Sequence, residues 1–397
     1  MASVEGAGVA LVSSAGDSAL WRLPAIRKLV VLALLGFTGF AATLASLPWW
    51  AVRGGASPSA AGLVTTVMLG VTVLAQFLVP LMERRLGVGR TLAIGLVALG
   101  APSPLYLVSD ELGPMLMLSA VRGVGFAVLT VVGAALTAVL APPERHGESV
   151  GLYGLAVAVP NLVVVPGAVA LAQNVGFVPV AVLATVPVLA APLALGIGGG
   201  HRPPEHDAGH RTAARVAVLP SLVLLAVTLA GGGVVTYLPI ERPDGYLATL
   251  ALLLFGLTGA IGRWWFGVLA DRAGTRVLLP GALVVGVAGL GAVVAGLGTG
   301  SGALLLTGAA VFGIAYGAVQ NLTLVVAFAR ARGRGTSTVS AVWNAAFDAG
   351  TGIGAVAVGA LAATGMGVPA ALGACAGLVA ACLPLAVLSS TRAARPG

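Results

Sequence analysis

Charge is what this sequence has least of. Only 9% of its 397 residues are Asp, Glu, Lys or Arg. A water-facing globular surface needs roughly 25%, so a soluble globular protein is excluded. Lys28 is the one lysine against twenty arginines, a bias that points to a GC-rich, bacterial coding genome. Leu29 follows it, so no Gly-Lys-Ser/Thr phosphate loop exists and ATP hydrolysis through that motif is excluded. Cys375 and Cys382, the only cysteines, stand seven residues apart, about 10 Å along one helix. That is too far to bridge, and both read as small core residues. The four histidines, His146, His201, His206 and His210, fall in loops, and no His-Glu-x-x-His pattern occurs. The last three stand near Glu205 and Asp207, which reads as a solvated linker in preference to a metal site. No Ser/His/Asp or Cys/His set can be assembled inside the apolar segments. The sequence implies no enzyme and no cofactor.

Long apolar runs are what it has. Apolar residues make up 58% of the chain, in runs of about 20, enough to cross roughly 30 Å of hydrocarbon at 1.5 Å per residue. Spans are predicted at Leu29–Ala51, Ala60–Met82, Thr91–Val108, Gly113–Leu140, Val150–Ala172 and Val178–Ile197. Six more follow at Val216–Ile240, Tyr246–Ala270, Val277–Leu297, Ala303–Phe328, Ser340–Thr364 and Val368–Ser389. The fold class is therefore all-α: twelve transmembrane helices in two six-helix bundles.

The net charge of +8 would fit nucleic acid, but the positions of the charges argue for a bilayer. With the N-terminus inside, 17 of the 21 Lys and Arg residues fall in cytoplasmic segments and only Arg53 and Arg242 outside. This positive-inside asymmetry requires an even number of spans, with both termini cytoplasmic in a plasma membrane. The longest polar break, 198–215, separates bundles at 29–197 and 216–389, with tails at 1–28 and 390–397. Glu83-Arg84 precedes Asp271-Arg272 by 188 residues, and Gly147 precedes Gly335 by the same interval. A shared offset points to an internal six-helix repeat, an arrangement that places a substrate site between repeats near the midplane.

Gly267-Val-Leu-Ala-Asp271-Arg272-Ala-Gly274-Thr-Arg276 resembles the loop motif of the major facilitator superfamily, Gly-x-Leu-Ala-Asp-Arg-x-Gly-x-Arg. It lies between spans eight and nine, where that family keeps one copy. Glu83-Arg84-Arg85-Leu-Gly87-Val-Gly89-Arg90 resembles a degenerate second copy, with its later Gly displaced. The resemblance implies a monomeric transporter that rocks its halves about a small-molecule site. Gly267, Asp271, Arg272, Gly274, Arg276, Glu83 and Arg84 would form its gate. Asp271 would latch one face by docking on a neighbouring helix end or arginine.

Two ionisable residues lie deep in the predicted spans. Asp348 is about 12 Å from the Ser340 end of span eleven. A carboxylate at that depth is costly enough to read as functional by default. Asn344, Thr351 and Gly352 share its helical face. Arg122 lies in span four, where the superfamily often carries an arginine followed four residues later by Gly. Phe126 holds that later position here. Arg122 could pair with Asp348 in proton coupling, bind an anionic substrate, or satisfy backbone carbonyls. Arg263, in span eight, snorkels or lines the cytoplasmic vestibule. Tyr316, Gln320 and Asn321 on span ten, Asn161 on span five, Asn344, Gln76 and Phe40 are candidate substrate contacts. Pro160 and Pro166 are expected to bend span five, with Asn161 refilling the freed hydrogen bonds.

The stretch from Pro142 to Gly154, with Asn344 to Gly354, resembles bacterial drug-efflux-like members. Val159, Val163 and Val164 stand where exporters often carry glycines around a span-five proline. The expected function is proton-coupled export of small hydrophobic molecules, with lipid, protons and substrate as partners and no nucleic acid. Proton-coupled uptake of a metabolite is the alternative. A non-transporting sensor or enzyme is the third reading, and it finds no segment long enough for a signalling domain.

Overall fold

The computed structural model describes residues 23–140, 146–197, 210–243, 246–331 and 336–391, all as helices and their connecting turns. The expected tail at 1–22, most of the central loop with His201 and His206, and residues 392–397 lie outside the described residues. Among the described residues, twelve apolar passes run back and forth. Spans one to six are Pro24–Arg53, Pro58–Gln76, Val88–Leu107, Leu112–Leu140, His146–Asn174 and Val178–Leu195. Spans seven to ten are His210–Glu241, Leu247–Ala273, Thr275–Thr299 and Gly302–Ala331. Span eleven is Thr336–Leu361 and span twelve runs from Gly367–Ala381 into Leu383–Thr391. Every predicted span is present. Several start earlier than expected (Pro24, His146 and His210), because a helix extends past the hydrocarbon edge until its polar residues reach water.

The helices break where proline and local packing act together. Span two ends at Gln76, and a short helix, Val79–Leu86, restarts with Pro80 in its first turn. Span six breaks before Pro187, and span twelve before Pro384. A proline at a first turn forfeits no bond the helix would have made. Pro160 and Pro166, by contrast, lie inside one continuous helix. The Asn161 side chain donates to the Val157 carbonyl at 2.8 Å. It therefore does not refill the Ala156 carbonyl that Pro160 leaves without its usual donor, contrary to expectation.

A first-half core gathers Phe37, Leu92, Leu96, Phe126 and Leu129. A second core gathers Leu279, Leu283, Phe312 and Leu322 and continues across the seam to Ala41, Ala45, Val165 and Val169. Those four residues lie toward the face opposite Leu23 and Thr391. Cys375 and Cys382 are unpaired and buried in this second core.

Two glycine turns show how the halves repeat. Gly87 has φ 82° and ψ 157°, and Gly274 has φ 73° and ψ 162°. These left-handed angles suit glycine. Each ends one helix and starts the next, and each donates its N–H to the carbonyl four residues back, Glu83 and Ala270. The displaced glycine of the degenerate motif thus makes the same turn. It also shifts the local register by one: Glu83 stands opposite Ala270, and Arg84 opposite Asp271.

Candidate functional site

The two halves touch along spans two and eleven, five and eight, and one and seven. On the face away from Leu23 and Thr391 the seam is closed. The Tyr237 hydroxyl reaches across to the Pro58 carbonyl at 2.9 Å and shares its proton with the Ala355 carbonyl of its own half at 3.0 Å. The Gln173 amide donates to the carbonyls of Pro239 at 3.1 Å and Arg242 at 3.4 Å. Toward the other face the walls part. Gly256 of span eight packs on Leu162 of span five. Two turns further on, on the same sides of those helices, Arg263 is exposed and Leu155 is 60% exposed. On span eleven Gly352 packs on Leu69, while Asn344 is exposed. The space between the halves therefore opens toward the face that carries Leu23 and Thr391.

Asp348 lies on that seam. It is 7% exposed, and its Oδ2 accepts a hydrogen bond from Gln76 Nε2 at 3.2 Å. The carboxyl belongs to the second half and the amide to the first, so the bond crosses the seam. One turn away the Thr66 hydroxyl donates to the Gly352 carbonyl. Thr66, Gly70, Leu74, Asp348, Gly352 and Ile353 help to line an open, mostly apolar groove of about 350 Å³ between spans two and eleven, with Gly70, Leu74 and Ile353 exposed at its mouth. The predicted face of span eleven is divided in use: Asn344 returns to the Ser340 carbonyl at 2.8 Å, and Thr351 to the Phe347 carbonyl at 2.9 Å.

Arg122 is not brought to Asp348. It is fully buried inside the first half. Its guanidinium donates to the Gly39 carbonyl at 2.9 Å, to Thr43 Oγ1 at 2.8 Å and to Ser103 Oγ. The Tyr106 ring lies 5.9 Å away. These contacts pin the last turn of the Pro24–Leu44 helix and the break in span three. Of the three expected roles, satisfaction of backbone carbonyls is the one these contacts match. Arg122→Met is accordingly expected to cost about 3 kcal/mol of fold stability, at about 1 kcal/mol for each orphaned acceptor. Thermal unfolding in detergent checks it. The protein that remains folded should keep any proton coupling it has.

A polar cluster forms instead around Arg263. Its Nη1 donates to Gln320 Oε1 at 3.3 Å. The neighbouring Asn321 Nδ2 donates to the Arg263 backbone carbonyl at 3.0 Å and packs on Gly267. Gly267 thus permits the close helix approach expected of it, with Asn321 filling the space. Tyr316 lies close enough to Thr351, Arg263 and Asp348 to interact with each. It also begins an aromatic row, with Phe347 at 6.3 Å and Trp343 a further 5.9 Å on. Arg263 was visible in the sequence as a charge inside a span. Its role as a hub was not, because Gln320 stands on a different helix.

The remaining candidates are dispersed. Phe40 stacks on Phe126 at 4.0 Å within the first-half core. Asn161 turns back on its own helix. Arg84 and Arg276 are exposed on the face that opens. Glu83 is half-buried, and this burial pushes its carboxyl above the usual range. The side chains of Asp271 and Arg272 lie outside the described residues.

Comparison with known proteins places this architecture. No curated protein sequence matches the chain. Among solved structures, a bacterial homologue of the human lysosomal transporter Spinster, in an inward-facing and unoccupied conformation, has a TM-score of 0.70 at 14% identity. The match covers 94% of this chain and 96% of that one. The nucleoside transporter NupG also has a TM-score of 0.70, at 11% identity over 92% of this chain and 99% of that one. Identities this low bear on the fold alone. The family model described as Major Facilitator Superfamily matches residues 29–355. The chain belongs to the major facilitator superfamily and is a multi-pass membrane transporter, not an enzyme.

Proposed function

We propose that this transporter is a proton-coupled exporter of small hydrophobic organic molecules, a drug or natural product, that works by alternating access as a monomer. One observation carries the reading: Asp348 is buried on the seam and is held from the other half by Gln76 at 3.2 Å. A titratable group joined across a moving interface can couple its proton to the motion. Few charges reach the space between the halves, which favours an apolar cargo over a sugar or dicarboxylate. The bundles 29–197 and 216–389 would rock as units. The positive-inside asymmetry supports cytoplasmic termini in a bacterial plasma membrane, which makes the described conformation open to the cytoplasm. The export direction rests on the resemblance of Pro142–Gly154 and Asn344–Gly354 to efflux members.

Purified protein in liposomes tests this directly. With an imposed pH gradient, a hydrophobic cargo should move against the direction of proton flow, and cells lacking the protein should become more sensitive to toxic forms of that cargo. Movement together with protons would replace export by uptake. Transport indifferent to the gradient would remove proton coupling.

A further inference from the structure

Resting on that transport reading, we infer that Arg263 selects the charge of the cargo: the site takes an aromatic or otherwise apolar body carrying one carboxylate. The placement comes first. Arg263 shares a helical face with Gly256, seven residues away, and at Gly256 that face packs on Leu162 of the first half. At Arg263 the halves have separated and the side chain is exposed. The side chain therefore lies along the gap between the halves, with its guanidinium held at the wall by Gln320. The lipid-facing side of the same helix is marked by the exposed Leu257, Ile261 and Trp265.

The second step is charge. Three acidic or basic residues lie deep in the described spans. Arg122 is fully buried and held by three first-half acceptors. Asp348 is 7% exposed and held by Gln76. Arg263 alone of the three has an exposed side chain, and its hydrogen-bonding partner among the described residues is the neutral Gln320. A cation at this depth, about 15 Å from the Ala273 end of its span, is costly without an anion. The cargo can supply one.

The third step is orientation. Gln320 holds one guanidinium nitrogen and Asn321 holds the Arg263 backbone, so span ten fixes the fork before the cargo arrives. A fixed guanidinium fork matches a carboxylate through two parallel hydrogen bonds, which a lysine cannot reproduce. Beside it stand the partly exposed rings of Tyr316 and Phe347, backed by the buried Trp343, a surface for a flat apolar body. A cationic cargo would meet this guanidinium before reaching the shielded Asp348.

Binding in detergent, with no gradient, separates this inference from the transport reading. The probes are 2-naphthoate, 2-naphthamide and (2-naphthylmethyl)trimethylammonium, measured by calorimetry. Wild type should bind the carboxylate at least about tenfold more tightly than the amide, the loss of one charged hydrogen-bonding contact. Arg263→Gln should reduce that preference to about twofold or less. Arg263→Lys, which keeps the charge without the fork, should fall between. Thermal unfolding of both variants shows whether they fold, and Arg263→Lys decides the matter should Arg263→Gln fail to. Equal or tighter binding of the amide or the ammonium by wild type overturns the inference. So does no binding of any probe, or a carboxylate preference that survives in Arg263→Gln. If gradient-driven transport of another cargo persists in any of those cases, only the charge selection falls.

Discussion

Asp348→Asn should abolish cargo accumulation driven by a pH gradient while leaving the protein folded and able to exchange cargo. Asparagine keeps the shape of the carboxyl, and its oxygen can still accept from Gln76, which now donates at 3.2 Å. What it loses is the ability to release a proton. At one proton per cycle, each unit of pH gradient supplies about 1.4 kcal/mol and sustains a cargo ratio of about ten. The variant should hold that ratio near one in the same liposomes. Its thermal midpoint should move by only a few degrees, because the side chain stays buried and partnered. Exchange of labelled for unlabelled cargo, which needs no proton, should persist. Full gradient-driven accumulation in Asp348→Asn would make the residue a structural hydrogen-bonding group of the seam, and the proton would have to enter elsewhere.

The partner of Asp348 could not be read from the sequence, and the reason is general to helical bundles. The period of a helix says which residues share its face, so Asn344, Asp348 and Gly352 were legible as one stripe. It does not say which of eleven other helices that stripe meets. Gln76 lies 272 residues away and stood in the sequence only as a polar residue within an apolar run. The same blindness paired Arg122 with Asp348, because the two were matched as buried opposite charges. Helix packing instead gave Arg122 to Gly39, Thr43 and Ser103. The fold itself was legible, because bilayer thickness constrains every span separately and no long-range contact is needed to count them. The turn at Gly274 was legible too, because the motif that carries it is contiguous. Its counterpart at Gly87 was visible only as a displaced glycine, since backbone angles, and not residue identity, define the equivalence.

Gly62→Leu should leave the protein folded but trap it with the seam open, lowering transport about a hundredfold. A Cβ at Gly62 would lie 2.0 Å from the Ala355 carbonyl oxygen and 2.9 Å from the Tyr237 hydroxyl. Gly62 belongs to the first half, and both neighbours belong to the second. A bulky side chain there therefore forbids the closed seam and separates the Tyr237 hydroxyl from the Pro58 carbonyl, a hydrogen bond worth about 1 kcal/mol. The clash disappears as soon as the halves part. A bias of a few kcal/mol is enough to invert a two-state population by about a hundredfold. Gly317 provides the contrast. A Cβ there would lie 1.8 Å from the Gly259 carbonyl oxygen, but spans eight and ten belong to the same half and stay together. Gly317→Leu should therefore fail to fold, where Gly62→Leu does not. Thermal unfolding distinguishes the two, and the labelling of a cysteine introduced at Ser59 reports the seam. Ser59 packs against Gly359 across it, so its reaction with an impermeant thiol reagent should rise in Gly62→Leu. If Gly62→Leu transports normally, spans two and eleven do not need this contact in the cycle. If it unfolds as Gly317→Leu does, the two halves are joined there permanently, and the moving seam must lie along spans five and eight instead.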